Sequence, residues 1–463
     1  MTLPERYFAI AAAAILVASL LGAVVAASSG ADDTESVDGW RADVPDPEAA
    51  DEPSSDGVAT VDGREFDSVQ AAVDAADPGD EIRLEGRFDE RVTVDTPGVT
   101  LEARERDGAL IDGGGEGTVI EVAADDVTVE GVWVRNSGPE RGEEDSGIYV
   151  NGSDATVSSL RATDVTFGVY LRGAEATTVE DSLVAGRSDL DQDERGNGIH
   201  LWEANETRLE NNSIRTVRDG IYYQWAKNVV AEGNAMWEMR YGVHYMYSES
   251  NHLEDNVAFD NDIGYALMVS SDISMVNNTA ANNDGPSGHG IQLKDIEDSE
   301  IVGNDVVGNG NGLYVYNAQD NRLADNLVLE NDVGVHVTAG SESEVVSGNS
   351  FVGNDEAAFA ETNSQAHWNE SDRGNYWSDA SAADLDGDGV SEARHQPAGS
   401  VERLVRDEPR AAVFAESPAF DAVRLAESSF PVLESPGIVD NHPLAESPHD
   451  HWRSYYDDEH HDH

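Results

Sequence analysis

The chain has 463 residues, with 92 Asp and Glu against 28 Lys and Arg and a formal net charge of −64. That balance excludes a protein that coats nucleic acid, because too few cations are available to neutralise phosphates. With 39% apolar residues in recurring strand-like runs, plain disorder is excluded as well, and the lack of cysteine rules out disulfides, thiolate metal sites and cysteine nucleophiles. Lys227 and Lys294 are the sole lysines. An acidic excess with almost no lysine fits adaptation to high salt, where screening removes most of the self-repulsion.

In chain order, residues 1–27 come first. An apolar run from Tyr7 to Ala27 ends in the small residues Val25, Ala26 and Ala27. This predicts an export signal, either cleaved or kept as a membrane anchor, and places the bulk of the chain outside the cytoplasm. Residues 28–57 are rich in Ser, Asp, Glu, Pro and Gly and predict a flexible acidic linker. Residues 65–76, EFDSVQAAVDAA, predict an amphipathic helix that caps the open end of a repeat array. Val92–Glu102, Val119–Val122 and Val127–Val134 read as first, less regular coils.

A repeat then takes over. Gly147, Gly168, Gly198, Gly220, Gly242, Gly264, Gly290, Gly312 and Gly334 each open an alternating run, mostly 22 residues apart. Asparagine recurs at Asn212, Asn234, Asn256, Asn278, Asn304, Asn326 and Asn349, and again at Asn261, Asn283, Asn309, Asn331 and Asn354. Short strands at this period predict an all-β fold, a right-handed parallel β-helix spanning residues 58–360. Gly and Asn are expected to take the left-handed backbone of tight corners, with the Asn side chains stacked from coil to coil.

Alternation assigns the faces. The first and third residues after each Gly point inward, and the second and fourth point outward. The outward positions carry no acid and are rich in aromatic and imidazole groups, which suits docking of a partner. Tyr170, Arg172, His200, Trp202, Tyr222, Lys294, Tyr314 and Tyr316 are the candidate docking residues. Met246 and Met268 are both outward and one coil apart, with His244 two residues before Met246. Thioether and imidazole donors together suit Cu(I), so His244, Met246 and Met268 form a candidate copper site, although the same residues equally suit a plain apolar patch. Met236 and Met275 align with core positions, and the pattern does not orient Met239. Carbohydrate enzymes on β-helices need carboxylates or an Arg constellation on the outward face. That face offers no acid pair and a lone Arg172, so a carbohydrate-binding or carbohydrate-active protein is the alternative reading.

The C-terminal extension, residues 361–447, contains DLDGDGVSE. Asp384, Asp386, Asp388 and Glu392 match positions 1, 3, 5 and 9 of a calcium loop, with His395 where position 12 would hold Glu. Residues 401–429 read as helical. Residues 448–463 read as a disordered, His-rich tail. There His449, His451, His460, His461 and His463 offer a second, weaker site for divalent ions.

The strings RGNGIHLW (Arg195–Trp202), RDGIYYQ (Arg218–Gln224), RYGVHYMYS (Arg240–Ser248), GYALMVS (Gly264–Ser270), GIQLKD (Gly290–Asp295) and GNYWSD (Gly374–Asp379) closely resemble the NosD family. So do DLDGDG and the late SPAF, FPVL and VDNHPL segments. The resemblance spans roughly residues 58–446, and several motifs in order make it specific. It implies a noncatalytic exported β-helix protein that matures nitrous oxide reductase. Family members work with an ABC transporter made of an ATPase subunit, NosF, and a membrane subunit, NosY. They receive copper from a lipoprotein chaperone, NosL, and dock the reductase while its copper centres are assembled. The match sets His200, His244, Tyr245, Met246 and Lys294 inside family motifs without saying which one meets copper. This chain departs from the family in its acidic surface and its tail.

Overall fold

The computed structural model describes residue 37, residues 40–47 and residues 50–456, apart from residues 339, 342, 362–364, 381–382, 399–400, 402–403, 405–408, 415–416, 421 and 424–436. The leader, residues 1–27, lies outside the described residues, as do His460, His461 and His463.

Short strands stack into a right-handed parallel β-helix of about 13 coils. Each coil contributes to three stacks. The front stack runs through Ser146–Val150, Phe167–Arg172, Ile199–Trp202, Asp219–Gln224 and Tyr241–Met246 and continues to Glu356–Ala360. Strands such as Arg208–Glu210 form the side stack, and strands such as Ala235–Trp237 form the back. Ile148, Val150, Ile199 and Leu201 are fully buried, as the alternation predicts. Met236, Met239 and Met275 are all core, which settles the orientation of Met239.

The repeating glycines do not take the expected role. None of the nine has a left-handed backbone. They are needed for space: a Cβ on Gly220 would lie 2.4 Å from Gly242 O and 2.7 Å from Met236 Cγ. Nor do the ladder asparagines turn the corners. That falls to the residue before each, such as Asn211, Gly233, Asp255, Asn277 and Asp325, all at positive φ. The asparagines stack inside as expected. Asn234 N and Nδ2 both donate to Asn256 Oδ1, at 3.0 and 2.8 Å, and Nδ2 also donates to Leu209 O at 2.9 Å. The same pattern runs on to Asn349, which donates to Asn375 Oδ1 at 2.8 Å.

The cap helix is shorter than predicted, Val69–Val73, because Arg64–Phe66 pairs antiparallel with Val58–Val61 instead. Ser68 Oγ and the Glu90 carboxylate accept its first free N–H groups. At the other end the stack runs past residue 360, since Tyr376–Trp377 pairs with Ser350–Val352. Phe351 and Trp377 close the core there, with ring centroids 4.2 Å apart. Trp377 Nε1 and Asn375 N donate to the buried Asp440 carboxylate at 2.9 and 2.7 Å. Within 401–429, Pro409–Phe414 is a 3-10 helix, and residues 418–420, 422 and 423 are helical.

Two segments expected to be loose are in fact held on the back stack. Trp40 packs against Ala235, Trp237 and Phe259, and Asn282 Nδ2 donates to Trp40 O at 2.8 Å. Asp450–Tyr456 forms a 3-10 helix whose Tyr455 is buried and donates to Asp305 at 2.6 Å. Apolar residues on the outer side of the back strands explain both corrections, because Trp40 and Tyr455 cover them.

Candidate functional site

The outward column of the front stack does not lie open. Tyr170, His200 and His244 are each more than nine-tenths buried. Two excursions between coils flank this face, residues 136–145 and 187–197, and they are tied together by Arg141 donating to Asp193 O and Arg187 donating to Ser137 O. The second excursion is what lengthens the Gly168–Gly198 spacing.

The face is not free of acid either. Glu144 reaches in from the first excursion, accepts from Tyr149 and Tyr170 hydroxyls at 3.1 Å each, and pairs with Arg172 at 2.5 Å. Arg172 therefore does not stand alone, and it also lies over the Trp202 ring. Asp219 enters from the position just before Gly220, a column that alternation after each Gly does not reach. It is fully buried and binds Arg240 through both carboxylate oxygens, at 2.8 and 2.6 Å. Burial pushes its carboxyl up, but hydrogen bonds from His244 and Arg240 outweigh this and hold it below the usual range.

Two histidines of this column are set up oppositely. Asn197 Nδ2 donates to His200 Nδ1 at 2.9 Å, which leaves the ring proton on Nε2. Burial pushes this ring down to about 3, so it stays neutral. His244 Nδ1 instead donates to Asp219 Oδ2 at 3.0 Å. A neutral imidazole held in that tautomer carries its lone pair on Nε2. His244 Nε2 is buried and has no hydrogen-bond partner among the described residues. Tyr222 and Tyr241 meet the His244 ring edge to face, at 4.7 and 5.0 Å between centroids.

Met246 lies two residues beyond His244 on the same strand and directly opposes Met268 in the next coil. Both methionines are half-buried. The residues thus offer one oriented nitrogen and two neighbouring thioethers, a soft donor set suited to Cu(I). Of the other docking candidates, Trp202, Tyr222, Lys294 and Tyr314 are half-buried, whereas Arg172 and Tyr316 are exposed. Lys294 lies over the Tyr316 ring.

In the C-terminal loop, Asp384, Asp386 and Asp388 bring carboxylate oxygens within 4.8 Å of one another, all exposed. Each also accepts a backbone N–H of its own turn. Glu392 is not in this cluster; it accepts from Leu385 N at 2.9 Å. The tail histidines inside the described residues are already engaged. His449 accepts from Ser350 Oγ through Nδ1 and donates to Asp325 O through Nε2, and His451 Nε2 donates to Asp305.

Fold and site together define a β-helix protein with a lateral face of soft and aromatic donors. Residues 183–382 match the family described as periplasmic copper-binding protein NosD. A Pseudomonas aeruginosa protein described as a probable ABC transporter binding protein NosD is 35% identical over 380 residues, covering 78% of this chain and 87% of its own length. One from Stutzerimonas stutzeri with the same description is 33% identical over 380 residues, covering 78% and 86%. The chain belongs to the NosD family. Among solved structures, the A-module of the Azotobacter vinelandii mannuronan C-5 epimerase AlgE6 superposes with a TM-score of 0.50 at 14% identity, over 63% of this chain and 90% of its own, a likeness of fold alone.

Proposed function

We propose that this chain is an exported accessory protein for assembling the copper centres of nitrous oxide reductase. In this reading it works outside the cytoplasm with an ABC transporter of the NosF and NosY type and receives Cu(I) from a NosL-type chaperone. The family description as periplasmic and copper-binding, and the relatives' description as ABC transporter binding proteins, support the setting. The observation that carries the reading is His244. Its Nδ1 is tied to buried Asp219, its Nε2 is buried without a partner among the described residues, and it shares a strand with Met246, which opposes Met268. Copper is cargo here, held by His244, Met246 and Met268 before transfer. The half-burial of both thioethers fits a site that a partner can reach.

The test is a Cu(I) competition titration against a colorimetric chelator. The wild-type chain is expected to bind one Cu(I), and the triple variant His244→Ala, Met246→Ala, Met268→Ala none at that affinity. Both are measured with the last seven residues removed, so that His460, His461 and His463 do not contribute. Unchanged stoichiometry in the triple variant defeats the site assignment.

A further inference from the structure

Where the front strands end, the chain turns through a left-handed residue in coil after coil. The outer coils use residues suited to this backbone or exposed acids: Gly173, Glu203, Asp295, Asn317 and Gly340. Three consecutive central coils instead place Trp225, Tyr247 and Val269 there, at φ of 54°, 56° and 49°. A left-handed backbone is unfavourable for an L-residue, and a β-branched residue is a genuine outlier in it. The fold nevertheless leaves all three partly exposed. Trp225 is 40% exposed, Tyr247 51% and Val269 38%.

The three side chains form one ridge. Trp225 meets Trp202 edge to face at 5.1 Å and lies nearly parallel to Tyr247 at 6.0 Å. Met246 and Met268 sit one residue earlier in their coils, which makes the ridge continuous with the candidate copper face. Exposed acids surround it: Glu203, Glu249, Asp272 and Glu297. The one lysine beside it, Lys227, is engaged with Glu249.

We propose that the ridge Trp225–Tyr247–Val269 is the docking surface for a folded protein whose contact patch is apolar and rimmed with lysine or arginine. An apolar, aromatic centre inside a charged rim is the anatomy of a protein interface, and Trp and Tyr are its usual anchors. The acidic rim selects a cationic counterpart and disfavours both an anionic bilayer and a second copy of this chain. The ridge deepens the maturation reading, on which the choice of probes rests.

The experiment compares the wild-type full chain with the variant Trp225→Asn, Tyr247→Gly, Val269→Gly. Binding of purified apo nitrous oxide reductase and of the purified copper chaperone is measured by calorimetry, and thermal stability in the same buffer. Asn and Gly suit the left-handed backbone, so the variant should melt at the same temperature as wild type or higher. Its affinity for one of the two proteins should fall about 10-fold or more. Unchanged affinity for each protein that the wild type binds overturns the ridge, and so does a lowered melting temperature, which marks the ridge as structural. Wild type binding neither protein overturns the maturation reading instead. The ridge is then decided by a photo-crosslinking residue at Tyr247 in the full chain within its own cell envelope. An adduct with an identified protein carrying a basic-rimmed apolar patch supports it. No protein adduct, a second copy of this chain, or loss in the variant of binding to anionic phospholipid vesicles overturns it.

Discussion

His200 and His244 occupy the same column two coils apart, yet their neighbours prepare them for opposite tasks. Asn197 fixes the proton of His200 on the nitrogen that has no partner, so that ring is a packed aromatic between Tyr170 and Tyr222. Asp219 accepts a hydrogen bond from His244 Nδ1 and leaves the other nitrogen free to accept. Asp219→Asn keeps the shape but removes the charge that orients and polarises the ring. Its Cu(I) affinity is expected to fall about 10- to 100-fold, read by chelator competition on protein whose melting curve confirms folding. Equal affinity would show that Asp219 serves Arg240 alone. At this scale the sequence was partly legible. His244, Met246 and Met268 stand out by spacing, and register places the two methionines together. Asp219 does not stand out, because it precedes Gly220 and belongs to a column that also holds Phe167, Asn197, Tyr241 and His289, which share no residue type. Burial of Tyr170 and His200 was equally hidden, since it comes from excursions with no fixed period.

At the scale of the coil, two kinds of glycine share one sequence signal and do different work. Gly220 lacks a side chain because the neighbouring coil leaves no room, whereas Gly173, at φ 61° with nothing within 4 Å among the described residues, lacks one because of its backbone. Gly220→Ala should therefore cost more than Gly173→Ala. The first forces a methyl against backbone and core, about 1–3 kcal/mol or more, and the second carries only the left-handed penalty of about 1–2 kcal/mol. Gly173→Asn should be close to neutral, which chemical denaturation of the three variants checks. Equal costs at both sites would refute the distinction. The period of 22 told where each column repeats and that the fold is a β-helix. It could not tell which column crowds its neighbour, because that depends on the path of the next coil. The corners also explain part of the composition. Asp181, Asp255, Asp260, Asp272 and Asp325 all hold positive φ, a conformation Asp tolerates better than most residues. Their acid is placed by backbone geometry as well as by habitat.

For the whole molecule, a charge of −64 works against the stacking of coils through self-repulsion that salt screens. The Debye length falls from about 10 Å at 0.1 M salt to about 3 Å at 1 M. The melting temperature should therefore rise steeply with NaCl up to about 1 M and flatten beyond it, where neighbouring coils no longer feel one another's surface charge. A melting temperature independent of salt would separate the acidity from stability altogether. The two segments held on the back stack were not legible as parts of the body. Their composition is that of linkers, and what fastens them is a few aromatics, Trp40 and Tyr455 above all, against a surface made by other coils.

The asparagine column also gives the molecule a direction. In each step from Asn212 to Asn349 the amide nitrogen faces the C-terminal neighbour and the carbonyl oxygen faces the N-terminal one. The side-chain dipoles therefore add along the axis instead of cancelling, as peptide dipoles do in an α-helix. The column's positive pole lies at Asn375, and the group waiting there is the Asp440 carboxylate, inside the body and away from water. A solenoid built from neutral amides thus has an electrically distinct far end, and one acid out of 92 is spent on neutralising it.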